Sequence, residues 1–256
     1  MEGYTQVRSK IKDYYDRSMR HLEDGDIDSA LDVLDEFGKL AVESPSWPQA
    51  TSSYLTALYR VIAARGPATG EEGAGRIFRE SEGLAAMFPA DRDVAVALMK
   101  IEISVVTSAS EYGITGIFAI KQRALIEKMK FLSVNLTDPR YDDPELIGRW
   151  SHTVYLMFEK VLSYPDYPAV KEFYSDLAKI AEAFSGSFSA AVWQARAAAS
   201  LASHYDHTGD GDLADQFRVV VKNLQNKYPD SEEINAARSK SISRRQIRST
   251  TQVRKK

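Results

Sequence analysis

The chain has 256 residues, of which 44% are hydrophobic and 27% are charged, a balance typical of folded globular proteins rather than disordered ones. It contains no cysteine, so disulfide bonds and thiolate metal sites are excluded, and a reducing compartment such as the cytoplasm is expected. No stretch reaches the roughly 20 apolar residues of a membrane-spanning helix, and the beginning of the chain lacks the apolar run of a signal peptide.

The apolar residues follow the three-and-four spacing of an amphipathic helix along almost the whole chain. Glycine and proline separate the helical segments and set their limits. No alternating run of β-branched residues favours a strand. The spacing predicts helices at about 4–23, 27–43, 47–65, 71–88, 91–111, 114–136, 144–163, 167–185, 188–207 and 212–228, followed by a basic helix from about 231.

The predicted helices form pairs that recur at a regular interval. The first helices of successive pairs begin near 4, 47, 91, 144 and 188, which gives a step of about 44 residues with one longer step. The longer step contains an insertion at 138–144. The turns inside the pairs carry residues suited to sharp turns at corresponding places: Gly25, Gly70, Gly113, Asp166 and Gly209. Such a repeat predicts stacked helix pairs, which form an α-solenoid.

Two of these turns, 24–30 and 208–214, have a glycine followed by a small alanine, Ala30 or Ala214, where paired helices must approach closely. A proline follows several second helices: Pro45, Pro89 and Pro229. In these features the chain resembles the tetratricopeptide-repeat family. It departs from that family because its step exceeds about 34 residues and because Arg218 stands where a core aromatic residue is expected. Armadillo- and HEAT-type pairs fit the step equally well.

The resemblance implies a right-handed superhelical stack of antiparallel helix pairs. We therefore predict an all-α fold with a helical-repeat domain of about five pairs over 1–230. A basic helix or tail over 231–256, partly disordered, completes the predicted organisation. The oligomeric state stays open.

No motif in the chain predicts catalysis, a cofactor or a bound metal. The glycine-rich segment 66–75 lacks the lysine and following serine or threonine that a phosphate-binding loop requires. The acidic loop 206–212 would need a glutamate at its twelfth position to bind calcium, but Phe217 stands there. His204 and His207 lack further ligands at zinc spacing. We expect a protein without enzymatic activity and without a cofactor.

Two sets of conspicuous residues are interpreted as structural. The acidic residues of the insertion are interpreted as turn and N-cap residues before the helix that begins at 144: Asp138, Asp142, Asp143 and Glu145. The three tryptophans lie near the starts of first helices and are interpreted as core residues that seal helix pairs: Trp47, Trp150 and Trp193.

In a stack of helix pairs the first helices usually line the concave surface, which is the extended binding face. The resemblance implies ligand-facing residues about thirteen and about ten positions before each turn glycine. The basic and aromatic residues at such positions are Lys12, Tyr15, Arg60, Lys100 and Arg196. Because most are basic, we predict a protein–protein interaction scaffold that binds an acidic or carboxylate-bearing peptide in a concave helical groove.

The C-terminal segment differs in charge from the rest of the chain. After Glu233 there is no acidic residue, and the basic residues are Arg238, Lys240, Arg244, Arg245, Arg248, Arg254, Lys255 and Lys256. Three roles stay open for this tail: a solubilising end, contact with nucleic-acid phosphates, or docking on an acidic partner, an anionic membrane or the acidic body. A nucleic-acid-associated protein is therefore the alternative function. No aromatic residue follows Tyr228, so base stacking is not expected.

Overall fold

The computed structural model describes residues 2–65, 70–111, 143–162 and 167–242. Every regular element in these ranges is an α-helix, which confirms the predicted all-α fold. The helices are α1 (Glu2–Glu23), α2 (Ile27–Glu43), α3 (Pro48–Arg65), α4 (Gly70–Ala85), α5 (Arg92–Glu111), α6 (Pro144–Leu162), α7 (Tyr167–Ala183), α8 (Phe188–Thr208), α9 (Gly211–Lys227) and α10 (Glu232–Ser241). Their bounds lie within a few residues of those predicted. The helix predicted at 114–136 lies outside the described residues.

The chain divides into two compact units, Met1–Arg149 and Trp150–Lys256, and the dividing point falls within α6. The sequence-based boundary after 230 falls inside the second unit, where α10 packs against α8 and α9. Ile234 and Ala237 of α10 are buried there. The first part of the predicted basic segment therefore contributes a helix to the core of this unit.

Apolar helix faces form the core of the first unit. The three-and-four spacing of α2 places Leu34 and Phe37 on its buried side. Phe37 is fully buried between the rings of Tyr14 and Tyr54, at centroid distances of 5.6 and 5.8 Å. Helix α1 packs against α2 and α3, and α3 packs against α5. The first helices thus bury apolar surface against one another as well as against their sequence neighbours.

The turns after α1 and α8 are built in the same way. Gly25 and Gly209 adopt positive φ angles of +77° and +89°, a conformation that favours glycine. An aspartate follows each glycine and caps the next helix: Asp26 accepts a hydrogen bond from a backbone N–H at 3.1 Å, and Asp210 does so at 3.2 Å. These two turns confirm the sequence interpretation that they are equivalent.

The second unit packs around α8, whose inner side is lined by small residues. Ala195, Ala198 and Ala199 are completely buried, and α8 contacts α7, α9 and α10. Small side chains allow helix axes to approach closely, so the apolar contacts are dense. On α9, the ring of Phe217 stacks on the ring of Tyr205 from α8, at a centroid distance of 5.7 Å.

Arg218 replaces the core aromatic residue expected from the resemblance, and its charge is matched inside the second unit. The side chain is 9% exposed and forms ion pairs with Asp206 and Asp215. Its Nε donates a hydrogen bond to the backbone carbonyl of Ser241 at 2.7 Å. Because that carbonyl ends α10, Arg218 joins the C-terminus of α10 to α8 and α9.

Candidate functional sites

Of the five predicted groove residues, Lys12, Tyr15 and Arg196 are not members of the cluster that the other two share. Lys12 is an exposed residue of α1 that forms an ion pair with Asp16 one helical turn away. Tyr15, also on α1, is half-buried. Arg196 lies on α8 in the second unit. The other two predicted residues meet in a polar cluster of the first unit.

That cluster surrounds the carboxylate of Glu145 at the start of α6. We name it the Glu145 cluster, and its members are Tyr59, Arg60, Lys100, Asp143, Glu145 and Arg149. The Tyr59 hydroxyl donates a hydrogen bond to Glu145 Oε1 at 2.7 Å, and Lys100 Nζ donates one to Oε2 at 3.0 Å. The Arg60 and Arg149 guanidiniums lie 3.4 and 3.6 Å from the same carboxylate. Donors from α3, α5 and α6 therefore converge on one acceptor group.

Lys100 is the most buried charge in this cluster, with a side chain only 11% exposed. Its Nζ also lies 3.1 Å from Asp143 Oδ1. Asp143 caps α6 by accepting a hydrogen bond from the Leu146 N–H at 2.7 Å, which confirms its interpretation as an N-cap. A buried ammonium needs such partners because desolvation of an unpaired charge costs several kcal/mol. Ligand binding by Lys100 and Arg60 stays a prediction, since both have carboxylate partners within the chain.

The cluster keeps Glu145 ionised. Burial raises the pKa of Glu145, but the hydrogen bonds from Tyr59 and Lys100 outweigh it, so this pKa lies below its ordinary value. Burial and the hydrogen bond to Glu145 raise the pKa of Tyr59 far above its ordinary value. Neither group is poised to change protonation near neutral pH, as general acid–base catalysis requires. The arrangement instead joins the N-terminus of α6 to α3 and α5.

An open groove in the first unit lies between α2 and α4. We name it the α2–α4 groove; its volume is about 720 Å³, and its lining residues are Leu34, Asp35, Gly38, Lys39, Val42, Glu43, Tyr54, Arg79, Glu80, Gly83, Leu84 and Met87. Leu34 and Leu84 are buried apolar residues at its base. Val42 and Met87 are large apolar residues that stay 61% and 40% exposed. The groove therefore presents apolar surface without an occupant from the described part of the chain.

Two glycines face the groove with different amounts of free space. A Cβ atom added to Gly38 would lie 3.3 Å from the Tyr54 ring, which is a tight contact. A Cβ atom added to Gly83 would meet nothing within 4 Å. The α4 side of the groove is thus open enough to accept a side chain or the approach of another backbone.

In the second unit, side chains of α6, α8 and α10 form an aromatic and cationic surface. We name it the Trp193 face, and its members are His152, Tyr155, Glu159, Trp193, Arg196, Ser200 and Lys240. The Trp193 ring stacks with His152 at a centroid distance of 4.3 Å, and the Arg196 guanidinium lies 4.7 Å above the same ring. Trp193 is half-buried, so it is not sealed in the core as interpreted. Trp150, by contrast, is 1% exposed, as interpreted.

Hydrogen bonds tie the polar end of this face together. Glu159 Oε1 accepts from the Tyr155 hydroxyl at 2.9 Å and from the Ser200 hydroxyl at 2.7 Å. Lys240 Nζ lies 3.2 Å from the Ser200 hydroxyl oxygen and donates to it. Burial and the bond to Glu159 raise the pKa of Tyr155 to about 12. The Tyr155 hydroxyl therefore stays protonated and acts as a donor.

Two of the predicted tail cations lie in α10, Arg238 and Lys240. The other six lie outside the described residues: Arg244, Arg245, Arg248, Arg254, Lys255 and Lys256. Sequence reasoning missed Lys240 as a neighbour of α8. It also missed the α2–α4 groove. The available signals were Val42, an apolar residue outside the buried side of α2, and the glycines within helices, Gly38 and Gly83.

No family model, curated protein or solved structure matches the chain. None of the described helices is both long and apolar enough to cross a membrane. Within the same described ranges, no three His, Asp or Glu side chains are placed to share a metal ion. A functional assignment therefore depends on the local geometry of the two units.

Proposed function

We propose that this protein is a non-catalytic interaction scaffold that binds an amphipathic helix of a partner protein in the α2–α4 groove. The observation that carries the proposal is an open groove with a buried apolar base and two exposed apolar side chains, Val42 and Met87. Contiguous exposed apolar surface bordered by charges is a common property of interaction sites.

The proposal includes a right-handed superhelical stack of helix pairs that resembles tetratricopeptide repeats. In the first unit, packing of α1 against α3 and of α3 against α5 supports such a stack. In the second unit, packing of α8 against α10 supports it in the same way. Stacked helix pairs commonly present extended grooves to partner segments.

The shape of the groove favours a helix as the occupant. The lining residues of α2 extend from Leu34 to Glu43, about 14 Å along the axis at 1.5 Å per residue, which matches two to three turns of a docked helix. An amphipathic helix places apolar residues at three-and-four spacing and can insert them between two helices. The open space at Gly83 lets its backbone approach α4 closely.

The charges along the groove indicate which charges the partner helix would carry along its edges. Asp35, Lys39 and Glu43 line the α2 side at successive turns, and Arg79 and Glu80 lie on the α4 side. A partner helix that carries charges of alternating sign along its edge would pair with α2. Such rim pairs determine register and specificity more than affinity, so the apolar stripe supplies most of the binding energy.

Selection from a displayed library of amphipathic helices tests the proposal. We expect the wild-type chain to enrich helices with an apolar stripe flanked by mixed charges. Gly83→Trp should abolish their binding because the indole fills the groove, whereas Gly83→Ala should retain it. Circular dichroism of both variants checks that the helices remain folded. Val219→Trp, which alters an exposed apolar residue of α9, is the matched control.

Two outcomes contradict the proposal. One is the absence of any enriched helix against the wild-type chain. The other is equal binding of the enriched helices to wild type and Gly83→Trp, since a filled groove cannot hold them.

A further inference from the structure

Two cations of the Trp193 face in the second unit, Arg196 and Lys240, have no carboxylate partner among the described residues. Among the described residues, no carboxylate lies within ion-pair distance of the Arg196 guanidinium, which contacts the Trp193 ring instead. The side-chain partner of Lys240 there is the Ser200 hydroxyl, a neutral group. Arg218 of the same unit shows the contrast, because it has two aspartate partners.

These side chains share one face of the unit. Trp193, Arg196 and Ser200 follow one another on α8 at intervals of three and four residues, which places them on one side of the helix. Lys240 of α10 reaches the same side through its contact with Ser200. Arg196 and Ser200 therefore lie on the side of α8 that carries Trp193, and Lys240 contacts Ser200 on that side.

Glu159 lowers the positive charge of this face without removing it. Its Oε1 accepts hydrogen bonds from the hydroxyls of Tyr155 and Ser200. One carboxylate against Arg196 and Lys240 leaves a net positive charge. A guanidinium stacked on an aromatic ring keeps N–H donors that can bind a carboxylate in bidentate fashion.

We propose that the Trp193 face binds a carboxylate of an acidic peptide, with Arg196 and Lys240 as the charged donors and the Trp193 ring as the platform for the adjacent peptide group. The carboxylate would come from aspartate or glutamate side chains or from a peptide C-terminus, since the same donors recognise both. This site is separate from the α2–α4 groove, and its failure would leave the proposed helix binding untouched.

Nuclear magnetic resonance of the full chain with two short peptides tests the proposal. The first peptide, acetyl-Gly-Asp-Glu-Asp-Gly-amide, has only side-chain carboxylates. The second, acetyl-Gly-Asn-Gln-Asn-Gly, has only a C-terminal carboxylate. We expect the indole N–H signal of Trp193 to shift in a saturable way with at least one of them at millimolar concentration. The signal of the buried Trp150 should stay in place and so report an intact fold.

Charge-neutralising variants decide which residues bind the peptide. The double variant Arg196→Gln, Lys240→Gln should weaken binding roughly tenfold or more, since both charge-assisted hydrogen bonds are lost. Lys222→Gln removes an exposed cation of α9 and should leave the affinity nearly unchanged. A shift with the first peptide alone assigns the site to acidic side chains, and a shift with the second alone assigns it to chain termini.

Four results would overturn the proposal. The Trp193 signal could fail to move with either peptide, or it could move equally with the fully amidated Asn-Gln-Asn peptide that has no carboxylate. Binding could also survive unchanged in the double variant, or fall equally in Lys222→Gln.

Discussion

The predicted repeat assigns Lys100 and Arg196, one in each unit, to equivalent places, yet their surroundings differ. Lys100 is buried against Asp143 and Glu145, whereas Arg196 lies above the Trp193 ring without a carboxylate among the described residues. Of the acidic partners of Lys100, Asp143 lies within the insertion at 138–144 and Glu145 directly follows it, and the predicted repeat has no such insertion near Arg196. Residues distant in sequence, rather than the predicted repeat position, therefore determine whether a carboxylate lies next to the cation.

Replacement of the two cations should give the largest difference. Lys100→Met leaves Asp143 and Glu145 partly buried without their ammonium partner, so we expect a loss of about 2–4 kcal/mol in the free energy of unfolding. Arg196→Met should cost less than about 1 kcal/mol, because it removes one cation–π contact at a half-buried site. Urea unfolding followed by circular dichroism measures both. Equal losses would show that Lys100 has no special structural role.

The two tyrosine–glutamate hydrogen bonds provide a second comparison. Tyr59 is fully buried and donates to Glu145, while Tyr155 is half-buried and donates to Glu159. Tyr59→Phe should lower the free energy of unfolding by about 1–2 kcal/mol. Tyr155→Phe should lower it by about 0.5–1 kcal/mol, since Ser200 still donates to Glu159. The same urea titrations measure both losses. A larger loss for Tyr155→Phe would show that burial does not determine which of the two hydrogen bonds stabilises the fold more.

Acid should weaken the Glu145 cluster. Because the pKa of Glu145 lies below its ordinary value in the folded state, its stabilisation is fully present above about pH 5 and is lost as the pH falls through the lowered pKa. In the Glu145→Gln variant, the free energy of unfolding should therefore fall less between about pH 5 and about pH 3 than in the wild type. The difference should be less than about 1 kcal/mol, because solvent screens this partly exposed carboxylate. Thermal unfolding across this range measures the slope. Glu43→Gln is an exposed control, and an identical effect there would contradict the assignment.

The smallest effect is expected at Lys12. Its side chain is 77% exposed and pairs with Asp16 on the same helix, so Lys12→Gln should change the free energy of unfolding by no more than about 0.5 kcal/mol. The same urea titration provides the measurement. A loss comparable to that of Lys100→Met would mean that the exposure of these two lysines does not determine how much each stabilises the fold.

Local signals explain how much of the fold could be predicted. Apolar spacing placed the helix bounds, because burial of one stripe leaves a periodic pattern in the sequence. The turns at Gly25 and Gly209 were predictable since positive φ and an aspartate cap depend on adjacent residues. The N-cap role of Asp143 was likewise a local property.

The candidate sites depend on contacts that no local pattern specifies. Lys100 meets Glu145 across 45 positions, and Lys240 meets Ser200 across 40. The burial of Arg218 against Asp206 could not be predicted from the sequence either, because a charged residue is expected to be exposed. The α2–α4 groove results from the placement of two helices that are not adjacent in sequence. To predict such features, one must know how whole helices pack, and the predicted repeat period does not determine this.

The most direct measurement of the central claim uses a dye that reports its environment, placed in the groove. The chain contains no cysteine, so Met87→Cys supplies a single thiol for labelling, and Val219→Cys supplies an exposed control on α9. Addition of a selected amphipathic helix should shift the emission of the dye at position 87 to the blue, as burial in apolar surroundings requires, and leave position 219 unchanged. A helix that binds without changing the emission at position 87, or that changes it at position 219 instead, would contradict the account.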